Sequence, residues 1–371
     1  MIKLKILHLA LSLRLGGAER LLTDLLPLFK EKGIDSDLLL LVQTGSSFEK
    51  ELAEQGVNIY HTGVNNEYSP FQIKNLAGFL KKRGVNYDLV HAHLFPAQYF
   101  LIFSRWLGTP KLPLITTEHN TYNRRRDKAY LRWLERYVYR QYSRIICISD
   151  PARANFLRWL PELESKTLII PNGIDLKRFK MAEPYPLKSI SNKLDPKNKI
   201  ILMVASMSKQ KDQATLIKAA SLLPDHYHVF LVGDGEQKSY LLKQVESLRL
   251  SDRIHFLGFR DDVERLIKSS DLFVLSSHWE GFGLVAVEAM AGGLPVIASD
   301  VSGLSEVVSG AGLLFEPGNE NQLAERIKQI VSSEKLYKQL KNKGLQKATE
   351  YSLSETANRY MKIYKDILDT G

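Results

Sequence analysis

Residues 276–293 of the chain read Ser276-Ser277-His278-Trp279-Glu280-Gly281-Phe282-Gly283-Leu284-Val285-Ala286-Val287-Glu288-Ala289-Met290-Ala291-Gly292-Gly293. They follow an apolar run typical of a buried strand, and they combine a glycine-rich loop with an apolar, helix-favouring run. A strand, a glycine loop and a helix in this order present backbone N–H groups and the positive end of the helix to an anion. The same stretch carries two carboxylates, Glu280 in the loop and Glu288 inside the helix. Carboxylates beside an anion site are expected to face hydroxyl groups, so the stretch predicts a site for a sugar attached to a phosphate.

The composition is that of a globular protein with more than one domain. At 371 residues the chain exceeds the size at which single cores stop growing, about 250–300 residues, and its apolar share of 44% is ordinary. The single cysteine, Cys147, excludes a framework of internal disulfides and suits a reducing compartment. The charged first residues do not resemble a signal peptide and no apolar run reaches membrane-spanning length, so we expect a cytoplasmic protein.

Short β-branched or leucine-rich runs alternate with helical patterns along the whole chain. In the first half the predicted strands are Lys5–Ala10, Asp37–Val42, Val57–His61, Leu89–Leu94, Leu114–Thr117, Ile145–Ser149 and Thr167–Ile170. In the second half they are Ile200–Ala205, Val229–Val232, Ile254–Leu257, Leu272–Leu275, Pro295–Ala298 and Leu313–Phe315. Strands that alternate with helices predict parallel sheets covered on both faces, and right-handed crossovers make each of them a Rossmann-like domain. The predicted fold class is therefore α/β.

A polar connector that contains three prolines, roughly residues 177–199, separates the two halves. We expect one Rossmann-like domain over residues 1–175 and a second over residues 176–352. Two such domains are expected to turn the carboxyl ends of both parallel sheets toward a central cleft, where ligands of these folds bind. Functional residues are accordingly sought directly after the strands.

Two strand ends of the first half carry candidate residues. Gly16 and Gly17 open the helix after the first strand and let the backbone approach a ligand, although a tight turn alone accounts for them. They do not form a G-x-G-x-x-G fingerprint, so a nicotinamide-dependent dehydrogenase is disfavoured. His119 follows the fifth strand and either donates to a hydroxyl or a developing charge or is structural. His91 and His93 share one face of a strand without a carboxylate or cysteine at a recognisable spacing, so we expect no metal and no cofactor.

In the second half the loop after the first strand reads Ser206-Met207-Ser208-Lys209-Gln210-Lys211-Asp212. Lys211 is placed to offset the charge of a diphosphate, although a solvated lysine is the plainer interpretation. Phe259 and Arg260 follow a later strand and can offer backbone groups or a flat side chain to a nucleotide base.

The ordered set of motifs resembles a known family. Glu280 and Glu288, with seven residues between them, look like the E-x7-E signature of retaining glycosyltransferases of family 4, which have the GT-B fold. Other elements similar to that family occur in the same order, namely Gly16-Gly17-Ala18-Glu19, His119, Pro171-Asn172-Gly173-Ile174-Asp175, Lys211 and Gly233-Asp234-Gly235. The resemblance extends over nearly the whole chain and includes bacterial enzymes that build polysaccharides and glycolipids.

The resemblance implies a role for each position. Glu288 would bind the ribose hydroxyls of a nucleotide-sugar donor, while the catalytic roles fall to Glu280, His119 and Lys211. Glu280 would contact the transferred sugar, His119 would lie near its reacting carbon, and Lys211 would neutralise the leaving diphosphate. The other implied donor contacts are Gly16, Gly17, Phe259, Arg260, Gly281, Phe282, Gly283 and Leu284. Ser206 stands where the family usually has an arginine, so Lys211 and backbone amides, or another basic residue, must carry that charge.

The implied reaction transfers the sugar with retention of the anomeric configuration and without a metal. Preorganised N–H groups and Lys211 would stabilise negative charge as it develops on the leaving phosphate. A UDP-sugar is the expected donor, because the family uses such donors often. The resemblance also implies that the last helix, about residues 353–371, returns to the first domain.

A strongly basic segment bears on the second substrate. Residues 124–158 hold ten basic and three acidic side chains, a balance of +7 that equals the whole excess of residues 1–175. Its arginines recur every four residues and predict one helical stripe flanked by aromatic rings, namely Arg132, Arg136, Arg140 and Arg144 with Tyr130, Trp133 and Tyr137. A cationic, aromatic helix favours contact of residues 124–144 with an anionic membrane, and a solvated or internally paired face is the alternative. No nucleic-acid recognition motif accompanies the segment, so we expect no nucleic-acid partner.

Membrane contact would make the acceptor a lipid-linked sugar or glycolipid, used in cell-surface polysaccharide synthesis by a peripheral protein on the cytoplasmic face of the membrane. Two alternatives stay open. One is a soluble transferase that acts on a small acceptor such as an inositol phosphate or malate, and the other is a non-catalytic protein that binds a sugar nucleotide.

Overall fold

The computed structural model describes residues 4–14, 16–119 and 124–369. The chain divides into two compact units. The first unit ends at Gly173 and takes in the last helix, and the second is Ile174–Ser352. The chain therefore passes from one unit to the other twice, after Gly173 and after Ser352.

The first unit is built on a parallel sheet with the strand order β3-β2-β1-β4-β5-β6-β7. Its strands are β1 (Lys5–Ala10), β2 (Asp35–Leu40), β3 (Ile59–His61), β4 (Leu89–His93), β5 (Leu114–Glu118), β6 (Arg144–Cys147) and β7 (Thr167–Ile169). The central strands are buried almost throughout because helices cover both faces, which is why they read as continuous apolar runs.

The second unit repeats this design with the strand order β10-β9-β8-β11-β12-β13, again with parallel neighbours. Its strands are β8 (Lys199–Val204), β9 (Tyr227–Val232), β10 (Ile254–Gly258), β11 (Leu272–Leu275), β12 (Val296–Ser299) and β13 (Leu313–Phe315). The strand order reverses between β8 and β11, as it does between β1 and β4 in the first unit. Loops at the carboxyl ends of strands beside such a reversal form the crevice in which Rossmann-like domains bind ligands.

Helices connect these strands. Those of the first unit are α1 (Gly17–Glu31), α2 (Ser47–Glu54), α3 (Phe71–Arg83), α4 (Ala97–Ser104), α5 (Arg132–Arg140), α6 (Asp150–Trp159) and the last helix of the chain. Short 3₁₀ helices of the same unit are Gly84–Asn86, Arg105–Leu107, Arg124–Asp127, Ala129–Leu131 and Pro161–Lys166. Those of the second unit are α7 (Leu176–Met181), α8 (Leu187–Ile190), α9 (Gln213–Ser221), α10 (Lys238–Ser247), α11 (Val263–Lys268), α12 (Leu284–Ala291), α13 (Ser305–Val308), α14 (Glu320–Val331) and α15 (Glu334–Thr349).

The last helix, α16 (Leu353–Asp369), packs in the core of the first unit. Two tyrosines anchor it, because Tyr364 Oη lies 2.7 Å from His91 Nδ1 and Tyr360 Oη lies 3.3 Å from Thr117 Oγ1. Both rings are buried, so the helix completes the apolar layer on one face of the sheet. Residues 370 and 371 of the predicted helix lie outside the described residues.

The structure confirms the predicted α/β class and each of the thirteen predicted strands, with ends that shift by at most two residues. The alternation of apolar strands with amphipathic helices was sufficient to locate them, since strand and helix periods differ strongly. Among the described residues no helix is both long and apolar enough to cross a membrane.

Candidate functional site

Two loops of the second unit meet at the strand-order reversal. Lys211 lies in the loop after β8 and Glu280 in the loop after β11, and Lys211 Nζ is 2.5 Å from Glu280 Oε1. The Ser277 hydroxyl donates to the same carboxylate oxygen at 2.7 Å. The Glu280 side chain is only 7% exposed, while that of Lys211 is 20% exposed. The two loops thus bring into contact a carboxylate and a cation that are 69 positions apart in the sequence.

Hydrogen bonds between the loops fix this contact. The His278 backbone N–H donates to the Gln210 carbonyl at 2.8 Å, and the Gln210 side chain returns a bond of 2.9 Å to the Trp279 carbonyl. Ser276 Oγ donates to the Asp212 carbonyl at 2.7 Å. These partners position Lys211, and the sequence offered no signal for them because each bond joins residues more than sixty positions apart.

Asp212 turns the chain into the next helix. It has a φ of +48°, in the left-handed region that Asp tolerates better than most residues, and its carboxylate accepts from the Thr215 backbone N–H at 3.3 Å and from the Thr215 hydroxyl at 2.6 Å. Asp212 thus caps the start of α9 directly after Lys211. The backbone of the lysine is therefore held in one position.

The glycine loop precedes α12 as the pattern predicted. Gly283, at φ +81°, is the last residue before the helix, and a Cβ at that position would lie 2.5 Å from Leu304 Cδ1. Leu284 is the first helical residue and Glu288, partly buried, lies one turn inside. Phe282 is buried with its ring edge-on to Tyr351 at 5.2 Å. The backbone N–H groups at the start of α12 therefore follow Glu280 by only a few residues. The packing of Phe282 and Gly283 fixes their position.

Gly303 was not singled out in the sequence, yet it is required here. Its φ is +89° and a Cβ there would lie 2.3 Å from the Glu280 carbonyl oxygen. The close approach of this backbone supports the Glu280 loop from the side of β12. The sequence around Gly303 contains no glycine motif that would have marked this residue as a candidate.

The remaining residues predicted for the donor are spread over other loops. Ser206 is exposed directly after β8, and its carbonyl accepts from the Gln213 side chain at 2.9 Å. Phe259 is 60% exposed beyond β10, the edge strand two positions from β8. Arg260 donates twice to Asp262, at 2.7 and 2.5 Å, and this pairing outweighs burial and lowers the pKa of Asp262 to about 2. The Arg260 guanidinium is thus committed to a carboxylate, which leaves Phe259 as the exposed flat side chain.

The predicted residues of the first unit follow β1 and β5. Gly16 and Gly17 are exposed at the start of α1, and a Cβ at Gly16 would meet only the mobile end of the Glu19 side chain. His119 is buried, and neither of its ring nitrogens has a hydrogen-bond partner among the described residues. Burial lowers its pKa to about 4 against the opposing charge of Glu118, so its ring is neutral near pH 7.

Three further histidines lie beside His119 on the same sheet. The ligand atoms of His8, His91 and His93 lie within 4.8 Å of one another, with His8 Nδ1 and His93 Nε2 separated by 3.1 Å. Both nitrogens of His91 are already bonded, to Tyr364 and to Thr117 Oγ1 at 2.8 Å. Burial lowers the pKa of all three. Hydrogen bonding accounts for much of this cluster, and the absence of a metal stays a prediction.

A buried ionic network anchors the chain after β5. Arg126 donates to Glu118 Oε2 at 3.0 Å and lies 3.5 Å from Glu135. Glu135 also accepts from the Tyr99 hydroxyl at 2.6 Å and pairs with Arg125 at 3.3 Å. Glu118 further accepts from Gln98 and Tyr139. Two arginines of the basic segment are therefore neutralised inside the protein.

The predicted arginine stripe is wrong at one end. α5 ends at Arg140, and Arg144 is the first residue of β6, so it does not lie on the helix. A four-residue spacing cannot show where a helix ends, and here residues 141–143 turn the chain into a strand whose next residues are buried. Arg132, Arg136 and Arg140 do share the exposed side of α5.

Aromatic rings accompany these arginines on the surface. Tyr130 is 65% and Trp133 70% exposed, and Tyr137 is 37% exposed. Arg136 pairs with Glu162, and Trp106 Nε1 donates to the Tyr137 hydroxyl at 2.8 Å. The alternative of an internally paired face thus holds for Arg125, for Arg126 and, at the surface, for Arg136. The other α5 arginines, Arg132 and Arg140, are exposed beside the exposed rings.

Comparison with known proteins gives two consecutive family matches. Residues 15–178 match the family described as Glycosyltransferase Family 4, and residues 186–347 match the one described as Glycosyl transferases group 1. The chain is similar to N,N'-diacetylbacillosaminyl-diphospho-undecaprenol alpha-1,3-N-acetylgalactosaminyltransferase of Campylobacter jejuni, with 26% identity over 92% of this chain and 95% of the relative. It is also similar to N-acetyl-alpha-D-glucosaminyl L-malate synthase of Bacillus anthracis, with 28% identity over 87% of this chain and 93% of the relative.

Among solved structures the fold is similar to that of Anabaena HepE, crystallised in complex with UDP. The TM-score is 0.84 at 24% identity, over 98% of this chain and 100% of that one. This likeness concerns the fold alone. With its two Rossmann-like units, its E-x7-E stretch and family matches over most of its length, the chain is a glycosyltransferase of family 4 with the GT-B fold.

Proposed function

We propose that the protein transfers a sugar from a UDP-sugar to a lipid-linked sugar or glycolipid, with retention of the anomeric configuration and without a metal. The observation that carries the donor half is the contact of Lys211 with Glu280 beside the glycine loop of α12. The loops at this strand-order reversal bring together a cation, a carboxylate and the first turn of a helix. This combination suits a ligand that contains both phosphates and hydroxyls. Lys211, Glu280 and the start of α12 all lie within the second unit.

In the proposed reaction the bond between the anomeric carbon and the diphosphate oxygen breaks, and the acceptor hydroxyl forms its bond on the same face. The electron pair of the broken bond leaves with the diphosphate, whose charge Lys211 and the backbone N–H groups of Gly283 and Leu284 stabilise. The departing phosphate oxygen takes the acceptor proton. This route needs no separate general base.

The other residues hold the donor in this proposal. Glu288 binds the ribose hydroxyls and Glu280 orients the transferred sugar, with Ser277 fixing its carboxylate. His119, whose ring is neutral near pH 7 and has no hydrogen-bond partner in the described part of the chain, offers a hydrogen bond to the sugar. Gly17 leaves space for phosphate oxygens at the start of α1, and Gly16 can approach them once the Glu19 carboxylate beside it turns away. Phe259 offers its exposed ring to the base.

The surface of α5 supports a lipid acceptor. Its exposed arginines attract anionic headgroups, while exposed rings such as Trp133 favour the interface between water and lipid. The C. jejuni relative carries a name that specifies an undecaprenol-linked acceptor. We therefore place the protein at the cytoplasmic face of the membrane as a peripheral enzyme of cell-surface polysaccharide synthesis.

A soluble transferase that acts on a small acceptor is the second candidate. The B. anthracis relative supports it, because its name specifies L-malate as the acceptor. The surface of α5 favours the first candidate, since a small soluble acceptor gives no reason for exposed rings and arginines on one helix.

A thermal-shift panel of UDP-, GDP- and ADP-sugars tests the donor site. A ligand that binds only the folded protein raises the melting temperature, and we expect a rise with UDP-sugars that Glu288→Gln removes. Addition of a chelator should leave the rise unchanged. No shift with any of the three nucleotide classes would refute the donor assignment.

Vesicle flotation tests the membrane assignment. Wild-type protein should float with anionic vesicles at low salt, and Trp133→Ala should weaken this about threefold or more because an exposed ring is lost from the interface. Tyr240→Ala, which removes a ring 56% exposed on α10 of the second unit, is the matched control and should float normally. Wild-type protein that stays unbound, together with transfer to malate, would favour the second candidate.

A further inference from the structure

A carboxylate of the protein itself covers the start of α1. Gly16 is the last residue before the helix and Glu19 is the third residue inside it, a position from which a glutamate side chain can fold back over the first turn. It does so here, because a Cβ placed on Gly16 would clash with Glu19 Oε2 and would lie 3.3 Å from its Cδ atom. The negatively charged group therefore lies against the positive end of the helix.

The same helix start lies beside the strand-order reversal of the first unit. α1 follows β1, and the order of the strands reverses between β1 and β4. Ligands of Rossmann-like domains bind at the carboxyl edge of the sheet beside such a reversal. Gly17 is exposed, and no atom lies within 4 Å of a Cβ placed on it, so a ligand can reach the backbone there. An anionic ligand and the Glu19 carboxylate would thus use the same end of the helix.

The Glu19 carboxylate is not compensated by a cation. It forms no ion pair with any residue in the described ranges of the chain, and the adjacent arginine, Arg20, is bonded to Asp24 and, at 2.8 Å, to Glu51. Burial raises the pKa of the Glu19 carboxyl, although a hydrogen bond from its own backbone N–H opposes this shift. Since only the end of the helix attracts the carboxylate, displacing it costs little free energy.

The backbone beneath this side chain is fixed. The Arg20 backbone N–H donates to the Gly16 carbonyl at 2.9 Å, and Thr23 Oγ1 donates to the Glu19 carbonyl at 2.9 Å. Thr23 is fully buried, and the next turn of α1 packs into the core of the first unit through Leu21 and Leu22. A ligand that reaches the helix start can therefore displace the Glu19 side chain by rotation about its own bonds, without a change in α1.

We propose that Glu19 competes with the donor phosphates for the start of α1. Its carboxylate occupies the helix end in the free protein, turns toward solvent when the nucleotide diphosphate binds, and returns to help UDP leave after transfer. The inference rests on the proposed contact of the donor with Gly16 and Gly17, and it adds a residue that regulates this contact. An acidic residue that served only to stabilise the first turn would give no reason for UDP to bind more tightly once it is removed.

Isothermal titration of the full chain with UDP tests the proposal. Glu19→Ala removes the carboxylate, and Glu19→Gln keeps its shape without its charge. Each variant should bind UDP about two- to fivefold more tightly than the wild type, the range expected for a charge in the first turn of a helix. Glu31→Gln removes the same charge from the exposed other end of α1 and should bind UDP as the wild type does. Melting curves without ligand show that each variant is folded.

Steady-state kinetics of sugar transfer give a second readout. UDP should inhibit both Glu19 variants more strongly by the same factor, and their KM for the UDP-sugar should fall while kcat does not rise, because the product leaves more slowly. Unchanged or weaker UDP binding in both variants would overturn the inference. So would a loss of kcat at unchanged UDP affinity, because Glu19 would then act on the reacting groups.

Failure of the proposed function has a different signature. Wild-type protein whose melting temperature does not rise with UDP-sugars would lack the proposed donor site, and the role of Glu19 would fall with it. A normal rise in the wild type, together with Glu19 variants that bind UDP no more tightly, would contradict the role of Glu19 alone.

Discussion

Two regions of the molecule pair carboxylates with cations, and they differ in what surrounds the pair. In the second unit Glu280 contacts Lys211, whose side chain is 20% exposed. In the first unit Glu118 contacts Arg126, and both side chains are 6% exposed. Arg126 reaches a second carboxylate, Glu135, so positive and negative charges are matched inside the protein. A cation that stays accessible can meet an anionic substrate, whereas one enclosed by carboxylates can only stabilise the fold.

The surroundings also set the protonation behaviour. Burial would raise the pKa of Glu118, but Arg126 and bonds from Tyr139 and Gln98 outweigh it and lower the pKa. For His119, the next residue, burial outweighs the opposing charge of Glu118 and lowers the pKa to about 4. Glu118 thus stays charged and His119 neutral near pH 7, because the charge of Glu118 is compensated by several partners while the desolvation of His119 outweighs its one carboxylate neighbour.

The greatest predicted loss of stability comes from breaking the buried pair of Glu118 and Arg126. Glu118→Gln leaves Arg126 buried with less compensation, and we expect it to lower stability by about 3–5 kcal/mol. Hydrogen exchange followed by mass spectrometry should show the loss in the first unit. Glu162→Gln, which removes the partner of the exposed Arg136, is the matched control and should leave exchange unchanged. Equal effects of both changes would contradict a structural role for the buried network.

The accessible pair should respond mainly in activity. Lys211→Gln is expected to lower kcat about a hundredfold or more, because one stabiliser of the leaving diphosphate is lost. The melting temperature should fall less than for Glu118→Gln, since Lys211 is partly exposed and Ser277 still donates to the Glu280 carboxylate. Lys209→Gln, two residues earlier on the exposed loop, should retain activity within about twofold if Lys211 is the cation that matters. A large loss at Lys209 would instead identify it as the substitute for the arginine absent at Ser206.

Two glycines sharpen the description of the Glu280 loop. Gly303→Ala forces a left-handed side chain against the Glu280 carbonyl, and we expect about 2 kcal/mol of destabilisation with an increased KM for the donor. Gly310→Ala has a similar φ, +78°, but no atom within 4 Å of the new Cβ. Gly310→Ala should lower the stability of the protein by about 1 kcal/mol and leave the KM for the donor unchanged. Steady-state kinetics and thermal melting distinguish the two, and the same KM for both would remove the support we assign to Gly303.

The smallest expected effect is the pH dependence from His119. Its folded pKa of about 4 lies below the ordinary value, so the unfolded chain binds more protons between about pH 6.5 and pH 4. Stability should therefore fall as the pH falls through this window. His119→Asn should flatten the curve by up to about 1.4 kcal/mol per pH unit, measured by melting at a series of pH values. An unchanged slope would show that His119 is not buried as a neutral ring in solution.

The order of strands and helices in this protein could be predicted from local sequence patterns. Apolar runs such as Lys5–Ala10 and Leu272–Leu275 were recognised at their true ends, because a strand covered on both faces leaves a continuous apolar signal. The E-x7-E stretch also placed Glu280 in a loop and Glu288 in a helix, since glycines and helix-favouring residues mark those elements locally. Motif order then indicated the family.

Which residues contact one another became known from the folded structure. Gln210 and Gly303 support the loops of Lys211 and Glu280 through bonds and contacts between distant parts of the chain, which no local pattern encodes. The same holds for the arginines, because spacing grouped Arg144 with α5 while the fold placed it in β6 and buried Arg126 among carboxylates. Local propensity depends on neighbours in sequence, whereas burial and charge compensation depend on neighbours in space, and the second kind of information exists only once the chain has folded.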